Sequence, residues 1–167
     1  MEPNVISFTP FVASFVNVNA AKANGAEVIL EAAPTTGLKL TTSYTYLNTL
    51  ITKSASPAGS EFGVGNTLFR RPRHSGSFGA TWNWRKLIAS SSLTYVGSRA
   101  DNDFVGFDPP FTTDPSYSRV DLAWTYRVSK RFSYMGTITN ALDRHYMEAL
   151  GFPALPIAFR TGGRFTF

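Results

Sequence analysis

Apolar and polar positions alternate along most of this chain with a period of two. The last eleven residues show it most cleanly: Ile157, Phe159, Thr161, Gly163, Phe165 and Phe167 share one parity, and Ala158, Arg160, Gly162, Arg164 and Thr166 the other. Successive side chains of a strand point to opposite faces. The stretch therefore predicts a strand with one apolar or small face ending in an aromatic, and one face carrying two arginines. The same alternation predicts six more strands, over 21–33, 38–47, 74–84, 87–96, 117–127 and 132–140. Residues 1–20 are ambiguous and read as a partial strand and a connection.

Two regularities run through this series. Connections alternate between short turns, such as Pro34-Thr35-Thr36-Gly37 and Arg85-Lys86, and long loops over about 50–71, 97–116 and 143–155. Past Lys22 at the start of the first strand the apolar parity carries no charge, whereas the polar parity carries Glu27, Glu31, Lys39, Arg119, Asp121, Arg127, Arg160 and Arg164. Membrane barrels show both features: short turns at one end, long loops at the other, an uncharged lipid face and a polar lumen. The predicted fold is all-β, an antiparallel meander of about seven to eight transmembrane strands. The eight charges are expected to face the lumen. Tyr44, Tyr46, Trp84, Tyr95, Tyr126, Phe132, Phe165 and Phe167 fall near strand ends, where amphipathic rings settle at headgroup level. A soluble β-sandwich also keeps its core face free of charge, so a soluble ligand binder remains an alternative, as does a small self-standing barrel that recruits residues 5–15 as an eighth strand.

Composition narrows the choice. Charged residues make up 16% of the 167 residues, against 14 Phe, 7 Tyr and 3 Trp, and a typical soluble domain is about 25% charged. No apolar run reaches the length of a transmembrane helix. There is no cysteine, which removes disulfide scaffolds and thiolate metal sites. The net charge of +5 is scattered over turns, strands and rims, so no nucleic-acid partner is expected. His74 and His145 are the only histidines and are far apart, with no metal-ligand spacing. The acidic stretch Asp101-Asn102-Asp103…Asp108 lacks the glycine and terminal glutamate of a calcium loop and reads as a solvated loop. No nucleophile, base and orienter occur together. Neither an enzyme, a metal site nor a cofactor is expected. Arg70, Arg71 and Arg73 fall where a long loop meets the third strand, placed either to meet lipopolysaccharide phosphates or simply to keep that end in water.

The C-terminal half resembles TonB-dependent outer-membrane receptors, which take up siderophores, cobalamin and similar ligands. Asn140-Ala141-Leu142-Asp143-Arg144-His145-Tyr146 is similar to the family's penultimate-strand motif, and Arg160-Thr161…Phe165-Thr166-Phe167 to its closing strand, although Phe159 stands where a glycine is usual. Asn17…Ala21…Gly25-Ala26-Glu27, Tyr44-Thr45-Tyr46-Leu47, Arg71-Pro72-Arg73-His74 and Tyr95-Val96-Gly97-Ser98-Arg99 also resemble family motifs in the same order. The resemblance spans about residues 15–167. It implies that the long loops face the ligand, with Arg99, Asp101, Asp103, Phe104, Phe107 and Tyr146 as candidates. It implies that Phe159, Phe165 and Phe167 form the signal read by the barrel-assembly machinery. Such receptors close about 22 strands around a plug, so the resemblance implies that the meander is a segment of a larger outer-membrane barrel, a C-terminal barrel-wall portion that does not transport alone. Its expected partners are outer-membrane lipid and lipopolysaccharide, the assembly machinery, a plug and N-terminal strands supplied elsewhere, and TonB only through that plug.

Overall fold

A computed structural model describes residues 20–57, 59–60, 62–102 and 111–167 of the chain. The partial strand expected over residues 1–20 lies almost wholly outside them. Eleven strands are present among the described residues: β1 (Ala20–Thr35), β2 (Leu38–Lys53), β3 (His74–Trp84), β4 (Leu87–Val96), β5 (Arg99–Asn102), β6 (Phe111–Asp114), β7 (Tyr117–Arg127), β8 (Phe132–Thr139), β9 (Met147–Ala149), β10 (Phe152–Pro153) and β11 (Ala158–Phe165). Seven of them form one sheet in the order β1-β2-β3-β4-β7-β8-β11, while β5-β6 and β9-β10 are separate hairpins. Every neighbouring pair is antiparallel, as a meander requires.

Registry converts the sequence pattern into two faces. Directly paired residues share a face, and the pairs Val28↔Tyr44, Thr42↔Phe78, Phe78↔Leu93, Ser91↔Leu122, Leu122↔Ile138 and Ile138↔Phe159 carry one row across the whole sheet. All three tryptophans lie on this face: Trp82 opposite Leu38 and Ala89, Trp84 opposite Leu87, Trp124 opposite Ala89 and Gly136. The pairs Glu31↔Thr41, Lys39↔Thr81, Ser92↔Asp121 and Arg160↔Thr137 carry the other, polar row.

Among the described residues, no second layer packs on the apolar face. Trp84, Phe78, Leu93, Tyr126 and Phe159 are all exposed, and Ile51 is the one buried large apolar residue among those described. A water-soluble sandwich would bury this face against a second sheet, so the soluble ligand-binder alternative finds no support in the described sheet. The polar face is the concave one. A hollow of about 740 Å³ runs from Lys39 on β2 to Arg160 on β11, so the sheet bends inward on that side. Among the described residues the sheet is nevertheless open, with β1 and β11 as its edges.

Short turns join the strands at one end. At the first, Gly37 adopts φ 85°, and an added Cβ would strike the Asn83 carbonyl oxygen, so both conformation and space favour glycine. The second strand departs from its expected end near residue 47. It runs on to Lys53 because Asn48–Lys53 pair with Ala20–Asn24. The extension is covered by the first long connection: Ile51 N donates to Asn66 O at 2.8 Å and Leu68 N to Thr49 Oγ1 at 3.1 Å. The hairpins β5-β6 and β9-β10 lie inside segments expected to be loops.

Candidate functional site

The three long connections meet at one end of the sheet, and charged side chains hold them together. Asp101, on β5, is fully buried (0% exposed). Its Oδ1 accepts hydrogen bonds from Arg70 Nε at 2.9 Å and Asn102 N at 2.8 Å, and its Oδ2 accepts one from Leu150 N at 3.0 Å. One carboxylate therefore joins the first connection (Arg70), the second (Asn102) and the third (Leu150). Arg99, two residues earlier and 5% exposed, sends Nη2 to Met147 O at 2.9 Å and Glu148 O at 2.8 Å, and to Asp114 Oδ2 at 3.1 Å. Its guanidinium also lies over the Tyr117 ring.

The two carboxyls respond oppositely to burial. Desolvation alone would raise Asp101. The Leu150 amide, the Arg70 side chain and the Asn102 amide all stabilise its anion, with the Arg70 charge, and together hold it below the ordinary carboxylate value. Burial pushes the Asp114 carboxyl up against the pull of Arg99, and the neighbouring Asp101 pushes the same way. With the proton on Asp114 the two carboxyls meet as donor and acceptor.

A second knot sits beside the first. Arg119 Nε donates to Asp121 Oδ2 at 3.0 Å, and its Nη1 lies 3.6 Å from Glu148 Oε1. Asp121 Oδ1 accepts from Asn140 N at 2.9 Å. Asn140, buried and at φ 53°, donates Nδ2 to Arg144 O and Leu155 O and accepts from Arg144 N. Asparagine tolerates this left-handed backbone better than most residues, and here its amide braces both arms of the third connection. Tyr117 and Tyr146 stack with ring centroids 4.1 Å apart.

These placements revise the ligand-facing set. Arg99 and Asp101 are buried and tie loops together, so they present no open surface to a ligand; Asp101 is also not the solvated loop residue that its acidic neighbourhood implied. Tyr146 is half-buried at the rim against Tyr117. Asp103, Phe104 and Phe107 lie outside the described residues. The eight strand charges, Glu27, Glu31, Lys39, Arg119, Asp121, Arg127, Arg160 and Arg164, share the polar concave face, where Glu31 and Lys39 pair at 3.1 Å. Phe159, Phe165 and Phe167 are exposed on and beyond β11, with Phe159 stacked on Trp124 and Phe165 edge-on to Phe167. Asp114 and Asn140 were not foreseen as structural polar centres. The run Phe-Thr-Thr-Asp carries no periodicity that reveals Asp114, while the Asn-Ala-Leu-Asp segment was noticed only as a motif. No group of three or more metal-ligating acids or histidines occurs among the described residues.

The profile of the TonB dependent receptor-like, beta-barrel family matches residues 3–141. A vitamin B12 transporter, BtuB, of Vibrio cholerae serotype O1 is 33% identical over 95 residues, 57% of this chain and 16% of that protein. An iron-regulated outer membrane virulence protein of the same species is 28% identical over 132 residues, covering 77% of this chain and 19% of that protein. The crystal structure of the siderophore receptor PiuA from Acinetobacter baumannii superposes with a TM-score of 0.72 at 20% identity, covering 87% of this chain and 22% of that one. The chain thus spans about a fifth of the length of these proteins or less.

Proposed function

Because this chain belongs to the TonB-dependent receptor β-barrel family, we propose that it forms part of the C-terminal barrel wall of an outer-membrane receptor for a scarce ligand such as a metal chelate. The observation that carries this reading is the uncovered apolar face. A mostly aromatic and aliphatic row crosses all seven strands with no charge in it and, among the described residues, no second layer on it. Exposure of such a face to water is strongly unfavourable, whereas lipid is its natural solvent.

The concave face then lines the lumen. Its charges sum to five positive and three negative, and Arg127, Arg160 and Arg164 gather towards β7 and β11. A basic wall suits an anionic chelate passing along it. Two edges left open in hydrocarbon would strand backbone donors and acceptors, so β1 and β11 require further strands, and the lumen a plug through which TonB acts. Phe159, Phe165 and Phe167 present the apolar closing strand to the assembly machinery, and lipid and lipopolysaccharide cover the outer face. The chain's role is to bind and to form a wall, and it does not transport alone.

Tryptophan quenching tests this reading directly. Lipids brominated along their acyl chains should quench Trp82, Trp84 and Trp124 once the chain is inserted in vesicles. Full emission in brominated vesicles, together with quenching by aqueous iodide, would sink the membrane assignment.

A further inference from the structure

The outward-facing rim at the long-loop end carries a cluster of cations that neither the loop knot nor the concave wall uses. Arg71, Arg73 and His74 line a recess of about 460 Å³ together with Tyr95, Ser98 and Thr113. His74 pairs with Tyr46 across β2-β3, and Tyr95 with Gly76 across β3-β4. Both belong to the row that contains Phe78 and Leu93, so the recess opens on the apolar side of the sheet. Arg71 and Arg73 are exposed. Arg73 donates Nη2 to the neutral Asn48 Oδ1 at 3.2 Å and has no carboxylate partner among the described residues. No carboxylate lines the recess. Tyr44 Oη lies 2.7 Å from His74 Nδ1. With the phenol donating there, the imidazole proton sits on Nε2, which is then a donor. Across Tyr95, a second recess of about 260 Å³ is lined by Ser116, Ser118, Arg144 and His145, again with no carboxylate.

We propose that the Arg71–Arg73–His74 recess binds the phosphate of an outer-leaflet lipid headgroup, lipopolysaccharide above all, with the lipid's acyl chains lying along Phe78 and Leu93 below it. Two adjacent cations with no carboxylate beside them hold phosphate oxygens through their charge, which lysine also supplies, and the hydroxyls of Ser98 and Thr113 supply further donors. The uncharged aromatic and aliphatic surface directly beneath the cations selects an amphiphile over a free anion, because only a lipid fills both halves. The proposal rests on the membrane-wall reading above and deepens it by giving the lipid partner a defined seat.

The full chain is produced in the outer membrane of a Gram-negative host and extracted in mild detergent, and bound lipopolysaccharide is counted by native mass spectrometry. The wild type is set against R71Q/R73Q, against R71K/R73K, and against K130Q/R131Q, which removes the same charge at the short-turn end. Lipopolysaccharide and inorganic phosphate are each titrated back. Retention by R71Q/R73Q should fall at least tenfold, R71K/R73K should keep most of it, and K130Q/R131Q should match the wild type. Equal retention in all variants overturns the proposal, as does an equal loss in both Gln pairs, which would be a net-charge effect. Inorganic phosphate displacing lipopolysaccharide at millimolar concentration would show a free-anion site and overturn the lipid assignment. Should R71Q/R73Q fold poorly, R71K/R73K losing lipopolysaccharide as completely as a delipidated control overturns the proposal by itself. A chain in the membrane fraction whose tryptophans are quenched by aqueous iodide and untouched by brominated lipid refutes the membrane-wall reading and the lipid seat with it; a chain quenched by brominated lipid but without lipopolysaccharide refutes the seat alone.

Discussion

Replacing Asp101 with alanine tests whether one buried carboxylate holds three loops together. The substitution leaves three donors facing it without their acceptor: Arg70 Nε, Asn102 N and Leu150 N, now at 2.9, 2.8 and 3.0 Å. The Arg70 side chain is 43% exposed and regains water, so its loss contributes little. The two backbone amides sit against a carboxylate with no exposure, and a buried donor left unsatisfied costs about 1–3 kcal/mol. Together they weaken local loop closure by about 2–6 kcal/mol. Hydrogen exchange followed by mass spectrometry reads this directly. At about 4 kcal/mol, amides near Leu150 and around residues 66–70 should exchange about a thousand times faster, whereas peptides at the Arg85-Lys86 turn should not change. Unchanged exchange at Leu150, or equal acceleration at both ends of the sheet, would refute the reasoning. Acid adds a second signature. The Asp101 carboxyl is held below its ordinary value of 3.8, so its contribution is present above that value and drains away as pH falls through the depressed one. Loop protection in the wild type should therefore decline in that acid window, and D101A should stay flat across it.

The remaining expectations follow from other parts of the molecule. Asp114 titrates in the opposite sense: its carboxyl is raised from 3.8, so its stabilising protonated form is lost as pH rises from there through the raised value, and D114N should remove the loss of loop protection over that range. Leu122→Arg places a charge mid-row on the apolar face, beside Ser91 and Ile138; it should destabilise the lipid-inserted sheet by about 2–4 kcal/mol, read as a lowered urea midpoint in vesicles, while Ala123→Arg on the concave face should be tolerated. Asn140→Ala removes the side-chain bonds to Arg144 and Leu155 and puts alanine at a left-handed φ; it should loosen residues 141–157 by about 2–4 kcal/mol, seen as faster exchange confined to them. Gly136→Val would drive a side chain into the Trp124 ring and should cost about 1–3 kcal/mol, with a changed near-ultraviolet tryptophan signal as its mark.

The strands were legible because a period of two survives any tertiary context in which each face keeps one solvent. Phe78, Leu93 and Leu122 announce their face from sequence alone, and pairing places them in one row. The extension of β2 was not legible, since Asn48–Lys53 alternate weakly and owe their strand state to β1. The loop end was the least legible. Arg70, Asp101 and Leu150 are 31 and 49 residues apart in pairs, and no local signal says that a charge in an Asp- and Pro-rich stretch will be buried among distant partners. The hairpin β5-β6 stayed hidden for the same reason, because its residues are those of a turn. The resemblance placed Arg99 and Asp101 towards a ligand, and only the fold shows that they are buried against partners on other connections.

Asp101 also restricts how this end of the molecule moves. Its two oxygens accept from donors on all three long connections, and Arg99 adds two carbonyls of the third. The loops are therefore mechanically in parallel: a force that draws one inward is shared by the other two, and none shifts far unless this carboxylate first releases its donors. Any movement of this end is thus one concerted displacement, with a threshold set by a few buried hydrogen bonds.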